Sequence, residues 1–211
     1  MPPALPKPCL CLVTDPGIAQ KDLVERVAQA VAGGVDLVQL RDKEMPGGQL
    51  LDLAAQLLKA IDGRAKLLVN ERADVAHAAG AHGVQIGEEG LPVGAVRNIV
   101  GDHSFIGRSV HSSSAALAAE KEGADFLVVG TMYASSSHPG EEPAGPGLMR
   151  DISGTCRLPL IGIGGVTPEN AGELVEAGAS GVAVITNILA APDPKAASAK
   201  LKEFLINSWN A

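Results

Sequence analysis

Along the chain, short apolar runs alternate with longer segments in which apolar residues return every three or four positions. The short runs read as buried strands and the longer segments as amphipathic helices. Strands are predicted at Cys9 to Thr14, Lys66 to Asn70, Ser104 to Ser109 and Leu158 to Gly162, and helices at Gln20 to Ala32, Gly48 to Ile61, Ser112 to Glu122 and Pro168 to Ala177. Between them a phrase recurs: Gly34-Val35-Asp36-Leu37-Val38-Gln39-Leu40, Gly80-Ala81-His82-Gly83-Val84-Gln85-Ile86, Gly123-Ala124-Asp125-Phe126-Leu127-Val128-Val129 and Gly178-Ala179-Ser180-Gly181-Val182-Ala183-Val184. Each copy reads as a helix end, a glycine cap that accepts a left-handed backbone, and a buried strand. A period of about 45 residues is too long for one strand and helix but fits two such units with short connections. Four copies therefore predict eight parallel strands alternating with helices. With no obvious edge strand, they close into a single-domain (β/α)8 TIM barrel over residues 1–211. A doubly wound open sheet is the alternative.

Composition agrees with that architecture. Aromatic residues are 2% of the chain although 46% is hydrophobic, so the core is built of Ala, Val, Leu and Ile, as buried parallel strands under Ala-rich helices require. The net charge is −7 and the cations are scattered, which excludes a phosphate-backbone stripe and hence nucleic acid as a partner. A small anionic substrate is compatible with this balance, because a few local cations and backbone N–H groups suffice to hold a phosphate. The three cysteines lack zinc-ligand spacing; Cys9 and Cys11 fall on one side of a strand and read as core thiols. No apolar stretch approaches the roughly 20 residues of a membrane-spanning helix, and Met1 to Lys7 has no hydrophobic signal region. The expected location is the cytoplasm, with no membrane partner.

In such barrels the chemistry lies at the C-terminal ends of the strands, so the polar residues that end each apolar run are the candidates. Gly164-Gly165, ahead of the helix start Thr167-Pro168-Glu169-Asn170, offers close backbone approach and N–H groups for a phosphate, with Ile185 and Thr186 beside it. The other reading is a tight turn and nothing more. Arg41 and Lys43 share a face with Gln39 and suit an anionic ligand if that face is the barrel mouth; otherwise they are solvated or paired with Asp42 and Glu44. Asn70 is either a helix cap or a ligand contact. Of the five histidines, His77, His82 and His103 read as structural or solvated. His111, just past Ser109 and the end of a strand, is placed to move a proton near neutral pH, a range that suits imidazoles in general, or else to cap a helix. Ser135, Ser137 and His138 lie in a loop, Tyr133 to Gly147, of a length that often covers an active site; the other reading is that His138 is merely exposed.

Taken in order, Gln39-Leu40-Arg41-Asp42-Lys43-Glu44, Val69-Asn70-Glu71-Arg72-Ala73-Asp74, Gly83-Val84-Gln85-Ile86-Gly87-Glu88-Glu89, Gly123-Ala124-Asp125 and Ile161-Gly162-Ile163-Gly164-Gly165-Val166 resemble the thiamine-phosphate synthase family from Leu12 to about Leu189. The family holds two activities on one barrel. A synthase joins hydroxymethylpyrimidine diphosphate to thiazole phosphate with Mg2+; a tautomerase aromatises a carboxythiazole phosphate without metal. The resemblance implies that Gln39 contacts the pyrimidine, that Arg41, Lys43 and Asn70 contact the diphosphate, and that Gly165, Ile185 and Thr186 cradle the thiazole phosphate. It departs from the synthase pattern at Gly90, where a magnesium carboxylate is usual, at Glu71 for Asp, at His138 for Lys and at Gln85 for His. Ile106-Gly107-Arg108-Ser109-Val110-His111-Ser112 is closer to the tautomerase branch, in which the histidine transfers the proton. The sequence therefore favours a tautomerase with catalytic His111 and no cofactor. The synthase is the alternative, with Mg2+ on Glu71 and Glu89. A non-catalytic barrel that binds thiazole or thiamine phosphate as a regulatory module is a third reading. Family habit implies a homodimer.

Overall fold

The computed structural model describes residues 4–135 and 142–210. Eight strands, β1 (Cys9–Val13), β2 (Leu37–Leu40), β3 (Lys66–Asn70), β4 (Gly83–Ile86), β5 (Phe105–Val110), β6 (Phe126–Val129), β7 (Leu160–Ile163) and β8 (Gly181–Val184), form a closed barrel in sequence order. Every neighbouring pair is parallel, and β1 pairs with β8 through Cys9 to Leu12. The open sheet is thereby excluded. Helices α1 (Gln20–Ala32), α2 (Gly47–Ile61), α3 (Ala73–Ala79), α4 (Val93–Val100), α5 (Ser113–Glu122), α6 (Gly145–Ser153), α7 (Pro168–Glu176), α8 (Thr186–Leu189) and α9 (Pro194–Trp209) surround it.

Alternation along the strands builds two layers of core. Cys9, Cys11, Val13, Leu37, Leu68, Phe105, Phe126, Val128, Ile161 and Ala183 fill the barrel interior. Their neighbours Leu10, Leu12, Val38, Leu40, Leu67, Val69, Val84 and Ile106 face outward and pack with the helices. Helix α1 meets them with Leu23, Val27, Ala30 and Val31, the spacing of one helical face. Burial raises the thiols of both Cys9 and Cys11, the latter to about 12, with the Asp36 carboxylate adding to it; they are core residues, as expected.

The repeated phrase has a structural role. Gly34, Gly80, Gly123 and Gly178 all have positive φ, which turns the chain from helix into strand. In two copies an aspartate next ties adjacent strands: Asp36 Oδ2 accepts from Leu10 N–H at 2.7 Å, and Asp125 Oδ2 accepts from Ile106 N–H at 2.7 Å. Each is held by a cation, Lys202 at 2.6 Å and Arg97 at 2.7 Å. Lys202 also donates to Pro8 O at 2.7 Å, so α9, packed between α1 and α7, is tied to the starts of β1 and β2. Among the described residues, no helix is long and apolar enough to cross a membrane.

Candidate active site

The interior positions that are apolar low in the barrel become polar at the C-terminal ends of the strands, and there a cavity of roughly 620 Å3 opens. Gln39, Arg41 and Lys43 from the β2 end, Asn70 and Glu71 from β3, Gln85 from β4, and Ser109 and His111 from β5 all line it. Arg41 and Lys43 thus both line the mouth, Arg41 half-buried and Lys43 exposed. Asp42, between them, turns away and accepts from the N–H groups of Glu44 and Met45 at 3.0 Å, shaping the turn and leaving both cations to the cavity. Thr14 fixes the base of Arg41: its hydroxyl accepts from Arg41 N–H at 2.8 Å and donates to Arg41 O at 3.2 Å.

Two amide contacts organise the cavity floor. Gln39 Nε2 donates to Asn70 Oδ1 at 2.9 Å, and Gln85 Nε2 donates to Ser109 Oγ at 3.1 Å. Asn70 therefore lines the cavity and does not cap α3, whose N-cap is Arg72. With its oxygen occupied, Asn70 turns an amide donor to any anion in the cavity. Gln85 is 2% exposed and, among the described residues, its Oε1 has no partner, a buried acceptor of the kind a ligand or water satisfies. His111 leaves the capping of α5 to Ser112, whose hydroxyl accepts from Ala115 N–H at 3.2 Å, and its own Nδ1 meets Glu88 Oε2.

A second cavity of roughly 270 Å3 lies between the ends of β6, β7 and β8, lined by Ser135, Gly164, Gly165, Val166, Ile185 and Thr186 among others. Gly164 and Gly165 have φ of 103° and 61°, which side chains rarely adopt. The turn is also too close to the β6 loop for a side chain: a Cβ on Gly165 would lie 2.4 Å from Ala134 O. Three contacts hold it. Tyr133 N–H donates to Gly164 O at 2.9 Å, Asn170 Nδ2 donates to Gly165 O at 3.0 Å, and Asn170 Oδ1 accepts from Thr167 N–H at 2.8 Å within a capping box that starts α7. The Tyr133 hydroxyl, donating to Glu173 at 3.0 Å, anchors the same loop, and burial with that carboxylate pushes its pKa up to about 12. Backbone N–H groups at such a turn, beside the positive end of α7, suit a phosphate.

The two cavities share Thr131, Ile163, Ile185 and Thr186, so they are two compartments of one mouth. Ser137 and His138 lie outside the described residues. Of the alternative metal carboxylates, Glu71 borders the central cavity; Glu89 is exposed and does not line it, whereas its neighbour Glu88 does. Thr14 and Asp15 also line the mouth and were not among the sequence candidates; Gln85, Glu88 and Thr131, polar residues at the ends of apolar runs, line it as well.

The thiamine monophosphate synthase family model matches residues 10–188. A thiamine-phosphate synthase of Natronomonas pharaonis is 41% identical over 189 residues, 88% of each chain, and one of a Mycobacterium species is 40% identical over 216 residues, 97% of this chain and 96% of the relative. The solved thiamine phosphate pyrophosphorylase of Pyrococcus furiosus superposes with a TM-score of 0.86 at 32% identity, covering 95% of this chain and 96% of that one. These relatives carry the synthase name, so the preference for a tautomerase drawn from Gly90, His138 and the stretch around His111 finds no support among them, and the synthase alternative fits better. Barrel, mouth and relatives agree on a thiamine biosynthesis enzyme, and the chain belongs to the thiamine-phosphate synthase family.

Proposed function

We propose that this chain is a thiamine-phosphate synthase, which joins hydroxymethylpyrimidine diphosphate to thiazole phosphate and releases diphosphate. The observation that carries this reading is the joined pair of compartments, one with cations and one with a glycine turn, which meet at Thr131, Ile163, Ile185 and Thr186. A condensation of two anions needs two sites that open onto each other, so that binding brings the reacting atoms together. Arg41 and Lys43 match the larger charge of a diphosphate, Asn70 adds an amide donor, and Gln39 contacts the pyrimidine. The turn at Gly164-Gly165, with Ile185 and Thr186, takes the thiazole phosphate.

The family's Mg2+ fits the residues present. This ion is typically held by one or two carboxylates and by substrate phosphates. Glu71 reaches the cavity beside Gly87, where a Cβ would lie 2.6 Å from its Oε1, so the bare glycine makes room for the carboxylate. Glu71 and diphosphate oxygens would hold the ion, which when bound offsets the charge of the departing diphosphate. Position 90 offers no second carboxylate, since a Cβ there would lie 2.4 Å from Ile86 Cγ2.

A second reading, the metal-independent proton shift in a carboxythiazole phosphate, is favoured by one observation: the imidazole of His111 stands at the mouth in contact with a carboxylate. Binding tests the two-compartment reading. By calorimetry, Arg41→Ala should weaken pyrimidine diphosphate at least tenfold and leave thiazole phosphate within twofold, about the loss of one charge-assisted bond. Equal weakening of both ligands would refute the division of the mouth.

A further inference from the structure

The rim of the central cavity carries a carboxylate and imidazole pair that the ligand contacts above do not use. His111 follows the last residue of β5, and its Nδ1 is hydrogen-bonded to Glu88 Oε2. The loop that carries Glu88 is itself clamped. Arg108, three residues before His111 on the same strand, donates from Nη2 to Glu88 O at 2.7 Å and from Nη1 to Leu91 O at 2.8 Å, while Gly90 N–H closes the turn onto Gly87 O at 3.0 Å. One strand thus supplies the imidazole and the clamp for its partner. Among the described residues Nε2 has no protein partner, and the ring borders the cavity with Lys43, Ser109 and Thr131.

We propose that Glu88 is a positioning residue for His111, holding the ring as its Nδ1–H tautomer so that the Nε2 lone pair faces the cavity as a proton acceptor. A carboxylate can only accept, and a neutral imidazole has one donor and one acceptor nitrogen, so the partner of Nδ1 decides the role of Nε2. This inference rests on the second reading above. In that reaction Nε2 takes a proton from one position of the substrate, the electron pair stays in the heterocycle, and the imidazolium returns the proton at another position. Nothing is consumed, and the Glu88 carboxylate steadies the transient cation. The side chains of His111 and Glu88 are 56% and 37% exposed, so the contribution is one of orientation more than of ion-pair strength.

The test uses the full chain with 15N-labelled histidine, at mildly alkaline pH where imidazoles are neutral, with His111→Asn to assign the signal. Long-range 1H–15N spectra should show His111 as the Nδ1–H tautomer in the parent protein and a shift toward Nε2–H in Glu88→Ala. In the same variant kcat of metal-free aromatisation should fall about tenfold with KM unchanged. An Nε2–H tautomer in the parent protein, or a pattern that Glu88→Ala leaves unmoved, overturns the proposal. If the parent shows the Nδ1–H tautomer but no aromatisation, the positioning of His111 stands and the second reading is what fails.

Discussion

The phosphate turn makes the sharpest quantitative prediction. Gly165 has φ 61°, and a Cβ there would lie 2.4 Å from Ala134 O and 2.9 Å from Tyr133 Cβ. In Gly165→Ala the left-handed backbone alone costs about 1–2 kcal/mol. Relieving the contact with Ala134 must part the β6 loop from the turn, which sacrifices the bond from Tyr133 N–H to Gly164 O, about 1 kcal/mol more. The total of about 2–3 kcal/mol corresponds to a fall in Tm of roughly 5–10 °C for a chain of this size. If the turn holds the thiazole phosphate, displacing it also removes at least one charge-assisted bond of about 1.5–3 kcal/mol, or roughly 10- to 100-fold in affinity. Gly80→Ala is the control: φ is 67°, but nothing lies within 4 Å of the added Cβ. It should lower Tm about half as much and leave binding unchanged. Thermal melts and calorimetry with thiazole phosphate read both variants. Parent-like affinity in a destabilised Gly165→Ala would refute the placing of the phosphate at this turn, and an equal loss in Gly80→Ala would refute the local argument.

Three further outcomes follow from contacts elsewhere. The Nδ1 of His82 accepts from Leu67 N–H at 3.1 Å, and burial, then Lys66, lowers its pKa. Its unfolded form therefore takes up protons first, so stability is full above about pH 6.5 and declines as the pH falls from there toward the folded value; Tm measured from pH 7.5 to 5.5 should show this slope, and His82→Gln should flatten it. Asp36→Ala leaves Leu10 N–H without its acceptor and the Lys202 ammonium without its carboxylate, and should cost about 2–4 kcal/mol in urea unfolding. In Gly107→Ala the new Cβ would lie 2.1 Å from Gln85 Oε1 and 2.2 Å from Phe126 Cζ; about 1–3 kcal/mol of overpacking is expected in the same assay, with weaker pyrimidine diphosphate binding as Gln85 and Ser109 move apart.

Much of the barrel is legible in the chain because strand and helix periods differ so clearly. The bounds expected for α1 and β3 agree with the structure, and the repeated glycines do turn helix into strand. β7 begins at Leu160, later than the expected Leu158, since Pro159 lacks an amide for the ladder and contributes only its carbonyl, to Leu127 N–H at 2.9 Å. α9 escapes the pattern because a polar residue, Ser198, sits on its buried face with Leu201 and Leu205, its hydroxyl satisfied by Pro194 O at 2.7 Å. At the site, alternation put Gln39, Arg41 and Lys43 on one face but left open whether that face was the mouth, which the cavity lining answers. Thr14 and Asp15 were passed over because they merge into a turn, where Asp15 Oδ1 accepts from Gly17 N–H at 2.8 Å. Beyond a strand end alternation fails, and adjacent glutamates cannot be told apart by spacing; the contact with His111, on a loop that Arg108 clamps, shows that Glu88, not Glu89, turns to the mouth.

The central claim is synthase activity, and turnover on two substrate sets in parallel tests it most directly. The purified chain is supplied with hydroxymethylpyrimidine diphosphate, thiazole phosphate and Mg2+, and separately with carboxythiazole phosphate tautomer in the absence of metal. The account predicts Mg2+-dependent thiamine phosphate formation that Glu71→Gln and Arg41→Ala each reduce at least tenfold. Metal-free aromatisation abolished by His111→Ala, with no thiamine phosphate formed under any condition, would contradict it.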